Sequence, residues 1–152
     1  MTREEYMGAA LDLAREAAIT GEVPVGCVIV NAGGQIIGRG RNRREEKKCA
    51  SAHAEMIAIE EACLITNDWR LSDCTLFVTL EPCPMCAGAI LNARIGAVYY
   101  GAKDQNTGSC GSVINLFMEN YGFSPKVVGG ILSEECSAVL ADFFRGLRQN
   151  GQ

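Results

Sequence analysis

Histidine is almost missing from this chain: there is one, His53, in 152 residues. A metal site built from several imidazoles is therefore out of reach, and any such site must draw on sulfur or carboxylate. Positive charge is not in excess either. Lys and Arg number 14 against 18 Asp and Glu, for a net charge of −4, a poor basis for binding nucleic acid over the whole surface. No apolar run approaches the roughly 18 residues that would span a bilayer, so no membrane partner is expected. The opening Met1-Thr2-Arg3-Glu4-Glu5 lacks the basic-then-apolar pattern of a signal sequence. Internal repeats, linkers and low-complexity tracts are also absent. The length suits one domain over residues 1–152, with a tail fraying from about residue 149.

Cysteine, by contrast, is plentiful, at eight residues. They are scattered, which argues for a reducing cytoplasm over a disulfide framework. Cys27, Cys63 and Cys74 sit in or beside apolar runs and read as small buried residues. Cys49, Cys110 and Cys136 have no evident partner. The remaining pair is different. A short β-type run, Thr75-Leu-Phe-Val-Thr-Leu80, stops at Glu81-Pro82, and Cys83-Pro84-Met85-Cys86 then opens a helix. Residues i and i+3 share a helix face, so both sulfurs point one way. The unpaired N–H groups of a helix start also favour thiolates.

Upstream, Ala52-His53-Ala54-Glu55 begins another helical run. The two stretches together spell H-x-E and P-C-x-x-C: three metal ligands, His53, Cys83 and Cys86, plus one free carboxylate, Glu55. Three protein ligands with an open fourth position mark a catalytic zinc site, whereas structural sites are closed by four. Zinc makes water more acidic. Two thiolates donate more charge than imidazoles do, so such a zinc needs help, and Glu55 is placed to carry the proton. One geometric demand follows. On a regular helix residues two apart point about 200° apart, so His53 must sit in a frayed first turn, with small Ala54 allowing close approach.

Taken in order, Thr2 and Glu5 form a capping box for a first helix ending at Gly21. Val25–Val30 and Gln35–Arg39 are strands of a hairpin around Asn31-Ala-Gly-Gly34. Arg39, Arg41, Arg43, Arg44, Lys47 and Lys48, offset by Glu45 and Glu46, form a basic loop, readable as a solvated loop or as a phosphate-contacting rim. A helix over about 52–65 should bury Met56, Ile57, Ile59, Ala62 and Cys63, and Trp69 should pack on the domain. Strands follow near Thr75–Thr79, Ala97–Tyr100 and Lys126–Gly129. A short helix is expected over Val113–Met118, and Ser133 should cap a last helix through Leu147. Strands alternating with helices after a hairpin indicate an α/β layered domain.

Over nearly its whole length the chain resembles the cytidine-deaminase-like superfamily and, within it, the bacterial tRNA-specific adenosine deaminases. The likeness lies in Gly21-Glu-Val-Pro-Val-Gly26, Asn42, Ala52-His-Ala-Glu55, Val78-Thr-Leu-Glu-Pro-Cys83 and Met85-Cys-Ala-Gly88. It continues through Ala93-Arg-Ile-Gly96, Gly101-Ala-Lys-Asp104, Gly130–Cys136 and Phe143-Phe-Arg145. The resemblance implies a three-layer α/β/α domain with a five-stranded mixed sheet, a homodimer, and one Zn2+ per subunit on His53, Cys83 and Cys86. Glu55 would be the proton shuttle. Asn42 would bond the target base, with Val25, Ala54 and Leu80 around its slot and Asp104 near the sugar. Phe143 and Phe144 would flank a tRNA anticodon stem-loop. The implied reaction is hydrolysis of adenosine to inosine at the wobble position. Where many relatives have an Asn-His pair, this chain has Phe123-Ser124-Pro125.

Three other readings stay open at this stage. The same chemistry could act on a free base or nucleoside such as guanine or cytosine. A strand followed by Cys-Pro-Met-Cys and a helix is also the layout of a thiol–disulfide protein, which would leave His53 and Glu55 idle. A zinc-stabilised binding module would need a fourth protein ligand, for which Cys49 is available.

Overall fold

The structure is a computed structural model that describes residues 1–150. Five strands form one sheet in the order β2-β1-β3-β4-β5: β1 Gly26–Val30, β2 Ile36–Arg41, β3 Thr75–Leu80, β4 Ala97–Ala102 and β5 Lys126–Val128. β1 is antiparallel to both its neighbours, while β3, β4 and β5 run parallel. Helices α1 Arg3–Ile19, α3 Ala54–Thr66, α4 Pro84–Asn92 and α5 Ser133–Gln149 cover the sheet, and α2 Arg44–Lys47 is a single turn.

The two-residue period of a strand divides the core. Cys27 and Ile29 of β1, with Leu76 and Val78 of β3, face α3 and α4. Val28, Val30 and Phe77 point the other way, toward Tyr6, Met7, Ala10 and Leu11 of α1. Central strands covered on both faces read as continuous apolar runs, and all five residues of β1 are buried. The result is a three-layer α/β/α domain with a mixed sheet.

The capping box forms as expected, Glu5 N donating to Thr2 Oγ1 and Thr2 N to Glu5 Oε2. The buried face of α3 does not follow expectation. It is made of Ala54, Glu55, Ala58 and Ala62, while Met56, Ile57, Ile59 and Cys63 are only partly covered. The cause lies in β2. A Cβ on Gly40 would come within 2.1 Å of the Ala54 carbonyl oxygen, and one on Gly38 within 2.3 Å of that of Ala58. The helix backbone rests directly on two glycines, and only alanine-sized side chains fit the seam. This close seating sets the first turn of α3 against the sheet.

Other expectations change in detail. Only Leu116–Met118 of the expected short helix forms, as a 3-10 turn, because Cys110 and Asn115 close a bridge just before it. Leu132, in the left-handed conformation at φ 52°, caps α5, and Ser133 is its first helical residue. Trp69 is 56% exposed, beneath the guanidinium groups of Arg70 and Arg94. α5 continues through Gln149, beyond where fraying was expected; the rest of that expectation, at residues 151 and 152, lies outside the described residues.

Candidate active site

β2, β3 and β4 point the same way, and ligands of open α/β sheets bind beyond the carboxyl ends of such strands. Two helix starts converge there. His53 is the N-cap of α3, with extended φ −78° and ψ 153°, so it escapes the helical period and turns to the same side as Glu55 in the first turn. That meets the geometric demand of the H-x-E spacing. Cys83 is likewise the extended N-cap of α4, and Pro84 takes the first helical position, where a missing N–H costs nothing. Cys86 follows one turn on and is fully buried.

His53 Nδ1 lies 3.6 Å from Cys83 Sγ and 3.5 Å from Cys86 Sγ, and the three ligand atoms all fall within 4.8 Å of one another. Tetrahedral zinc with sulfur at about 2.3 Å and nitrogen at about 2.0–2.1 Å requires sulfur–nitrogen separations of about 3.5–3.6 Å. The cluster has that size already. Its electrostatics point the same way. Hydrogen bonding from Cys86, then from His53, draws the Cys83 thiol down to about 4. The same proximity to Cys83, with burial, drives the Cys86 thiol far above its usual range. His53 is raised by its bond to Cys83. Two thiols this close oppose each other's ionisation, and a divalent cation is what would let both sulfurs ionise together. The donor set fits zinc.

Glu55 is 4% exposed, and burial pushes its carboxyl up to about 7. It opens onto a cleft of about 170 Å³ lined by Val23, Val25, Asn42, Arg44, His53, Ala54, Glu55, Leu80, Glu81, Cys83, Asp104 and Thr107. Val25, Asn42, Ala54, Leu80 and Asp104 are thereby brought together with the ligands. Asn42 is held on both sides: its Nδ2 donates to the Val23 carbonyl at 3.1 Å, and its Oδ1 accepts from Arg44 N at 3.2 Å. One amide hydrogen and one lone pair are left over. Asp104 is more occupied than expected. Its Oδ1 accepts from Asn106 N and Thr107 N, and its Oδ2 from the Thr107 hydroxyl, an Asx-type turn.

Phe143 and Phe144 do not reach the cleft. They meet edge to face at 5.4 Å on α5, where Phe143 lines a separate groove with Ala18, Ile19 and Gly21. Val23, Glu81 and Thr107 line the cleft without having been given a role there, and so does Arg44, named only as one of the basic loop. Charge pairing along the run does not pick Arg44 out: Glu46 takes Arg41 and Arg43, and Glu45 takes Lys48, which leaves Arg39, Arg44 and Lys47, and only the fold brings Arg44 to the cleft. No signal in the sequence gave Val23 or Thr107 a role.

Residues 1–102 match the family described as "Cytidine and deoxycytidylate deaminase zinc-binding region". A tRNA-specific adenosine deaminase of Bacillus subtilis is 47% identical over 151 residues, covering 98% of this chain and 93% of the relative. A solved structure from work on A-to-I editing by tRNA:A34 deaminases at the wobble position superposes with a TM-score of 0.87 at 40% identity, covering 91% of this chain and 100% of that one. A guanine deaminase from Nitrosomonas europaea, 23% identical, shares the fold with a TM-score of 0.83 over 93% of this chain and 84% of its own. Metal cluster, cleft and sequence similarity converge: the chain belongs to the cytidine and deoxycytidylate deaminase zinc-binding family and, within it, to the tRNA-specific adenosine deaminases.

Proposed function

We propose that the chain hydrolyses adenosine to inosine at the wobble position of a tRNA anticodon loop. The observation that carries this is the meeting of His53, Cys83 and Cys86 with buried Glu55 at the floor of one cleft, in a chain whose relatives are named for this reaction. A loop base is already largely unpaired, so extruding it into the cleft costs less than from a duplex.

His53 Nδ1 and the sulfurs of Cys83 and Cys86 would hold the zinc, which would supply the Lewis acidity that makes water a nucleophile near neutral pH. Glu55 takes the proton from the attacking water and passes it to N1 of the purine as oxygen adds at C6. Glu55 then takes the proton of the new C6 hydroxyl and gives it to the exocyclic amine, so that C6=O forms as the C6–N bond breaks and ammonia leaves. Asn42 offers its spare N–H and lone pair to the base edge, and Val25 and Leu80 provide apolar contact to the ring. Ala54, one methyl in size, lets the ring approach Glu55. Arg44 has no carboxylate partner among the described residues and gives the mouth of the cleft a cation for a phosphate.

The test is incubation with bulk tRNA, then mapping of inosine. One modified position in the anticodon loop is the expected result, with little ammonia released from free adenosine, guanine or cytidine. Ammonia from a free base and none from tRNA would move the function to small-molecule deamination.

The enzyme is expected to act in the cytoplasm as a homodimer. All eight cysteines are free, as a reducing compartment requires. Trp69 and Arg94 connect an exposed groove beside Cys63 and Leu64 to another lined by Gly88, Leu91, Leu116, Tyr121 and Phe123. Exposed Leu64, Trp69 and Tyr121 among the charged Glu60, Asp68, Arg70 and Arg94 make a mixed face that suits a second copy. Sedimentation at twice the 16.3 kDa chain mass is the expected outcome; a monomer at micromolar concentration contradicts it.

A further inference from the structure

Glu81 is a carboxylate that the proposed chemistry does not use. It is 2% exposed, at the turn between β3 and the Cys83 helix start, yet no cation pairs with it among the described residues. All its partners come from the segment beyond β4. Oε1 accepts from Asp104 N at 3.1 Å and from the Ser112 hydroxyl; Oε2 accepts from Cys110 N at 2.9 Å and Ser112 N at 3.1 Å. Alongside, Ser109 N donates to the Pro82 carbonyl at 2.8 Å. Gly108 packs so closely on the carboxylate that a Cβ there would come within 2.4 Å of it.

Such an arrangement is more than a way to bury one acid. A glutamine at this position would keep one good acceptor oxygen and turn N–H groups toward N–H donors. Apart from the Cys110–Asn115 bridge, the segment 103–112 pairs with no strand, and its backbone bonds to the following residues 113–116, to itself, and to Glu81 and Pro82. It carries Asp104 and Thr107 into the cleft, opposite Asn42 and Arg44. Its position relative to the zinc ligands is therefore set through Glu81, two residues before Cys83.

We propose that Glu81 is a positioning residue for substrate recognition, tying the Asp104–Thr107 wall of the cleft to the turn that carries the zinc ligands. This deepens the tRNA deaminase reading and rests on it for the identity of the substrate, but the tether itself is a property of the free protein.

Two measurements test it. In Glu81→Gln, zinc content stays at one per chain, and hydrogen exchange of the segment 104–112 quickens at least about tenfold, since four bonds to a charged acceptor are weakened. With an anticodon stem-loop as substrate, KM rises about tenfold while kcat stays within about threefold, the pattern of lost binding common to ground and transition states. Gly108→Ala, whose Cβ would press on both the Glu81 carboxylate and the Asp104 carbonyl, gives the same split, and Ser112→Ala, which removes one bond to Glu81 alone, a smaller one. Unchanged exchange, or a loss confined to kcat or to zinc, overturns the proposal. If Glu81→Gln fails to fold, the other two variants decide: a raised KM supports the tether and a wild-type KM refutes it. A wild type inert on the stem-loop would sink the substrate reading, while the exchange result would still judge the tether.

Discussion

Glu55→Gln is expected to bind zinc at one per chain and to lose at least about a thousandfold in kcat, within the range for removing a general acid–base group. The substitution keeps the shape of the side chain and removes its ability to take and return a proton. Glu55 is not among the ligand set of His53, Cys83 and Cys86, so the metal should stay. It is also buried in the cleft, where a carboxylate without a cation partner is costly to hold. Thermal stability should therefore not fall. KM should change little, because the contacts proposed for the base come from Asn42, Val25 and Leu80. Elemental analysis with single-turnover deamination separates the two effects. A variant with near-wild-type kcat would remove Glu55 from the mechanism, and one lacking zinc would make it a ligand.

The second large effect is loss of the metal. Cys86→Ser should abolish stoichiometric zinc and with it all measurable deamination. The residue is fully buried, and its sulfur is 3.5 Å from His53 Nδ1, leaving little room for solvent to replace it. The same protein should melt at a lower temperature than wild type. A ligand bound only by the folded state stabilises by about 2.7 kcal/mol when free ligand is a hundredfold above Kd, and the variant forfeits that term. Cys49→Ser provides the contrast. Cys49 is exposed and bonded to Ser51, away from the cluster, so zinc, melting temperature and activity should match wild type. Zinc loss in Cys49→Ser would revive the closed four-ligand site of a binding module.

The meeting of His53, Cys83 and Cys86, with Glu55 beside them, was legible in the chain because the patterns that produce it are local. The H-x-E and P-C-x-x-C spacings need only a helix start each, and His53 and Cys83 both turn out to be extended N-caps. The capping box and the strands are local in the same way. What could not be read depends on contacts far apart in sequence. The buried face of α3 is decided by Gly38 and Gly40, which exclude Met56 and Ile57 in favour of alanines. Apolar periodicity is blind to that. Ser133 looked like a cap by type, yet the chain enters α5 through a left-handed Leu132, a backbone state with no sequence mark. Glu81 was read as a flanking residue of the cysteine motif, and its partners lie between 23 and 31 positions away. Phe143 and Phe144 carried a resemblance, and the fold places Phe143 in a groove beside α1 and leaves Phe144 41% exposed, outside the residues that line the cleft.

The thiol–disulfide alternative also loses ground physically. It would leave His53 and Glu55 as bystanders, whereas the structure packs His53 against both sulfurs and Glu55 beside them. Sulfur within such a cluster is better placed to grip a cation than to exchange disulfides.

X-ray absorption at the zinc edge of freshly purified protein tests that centre most directly. One zinc per chain with two sulfur and two lighter neighbours, and no stoichiometric zinc in Cys86→Ser, is the expected result. Three or four sulfurs, or a Cys83–Cys86 disulfide with no metal, would contradict the account.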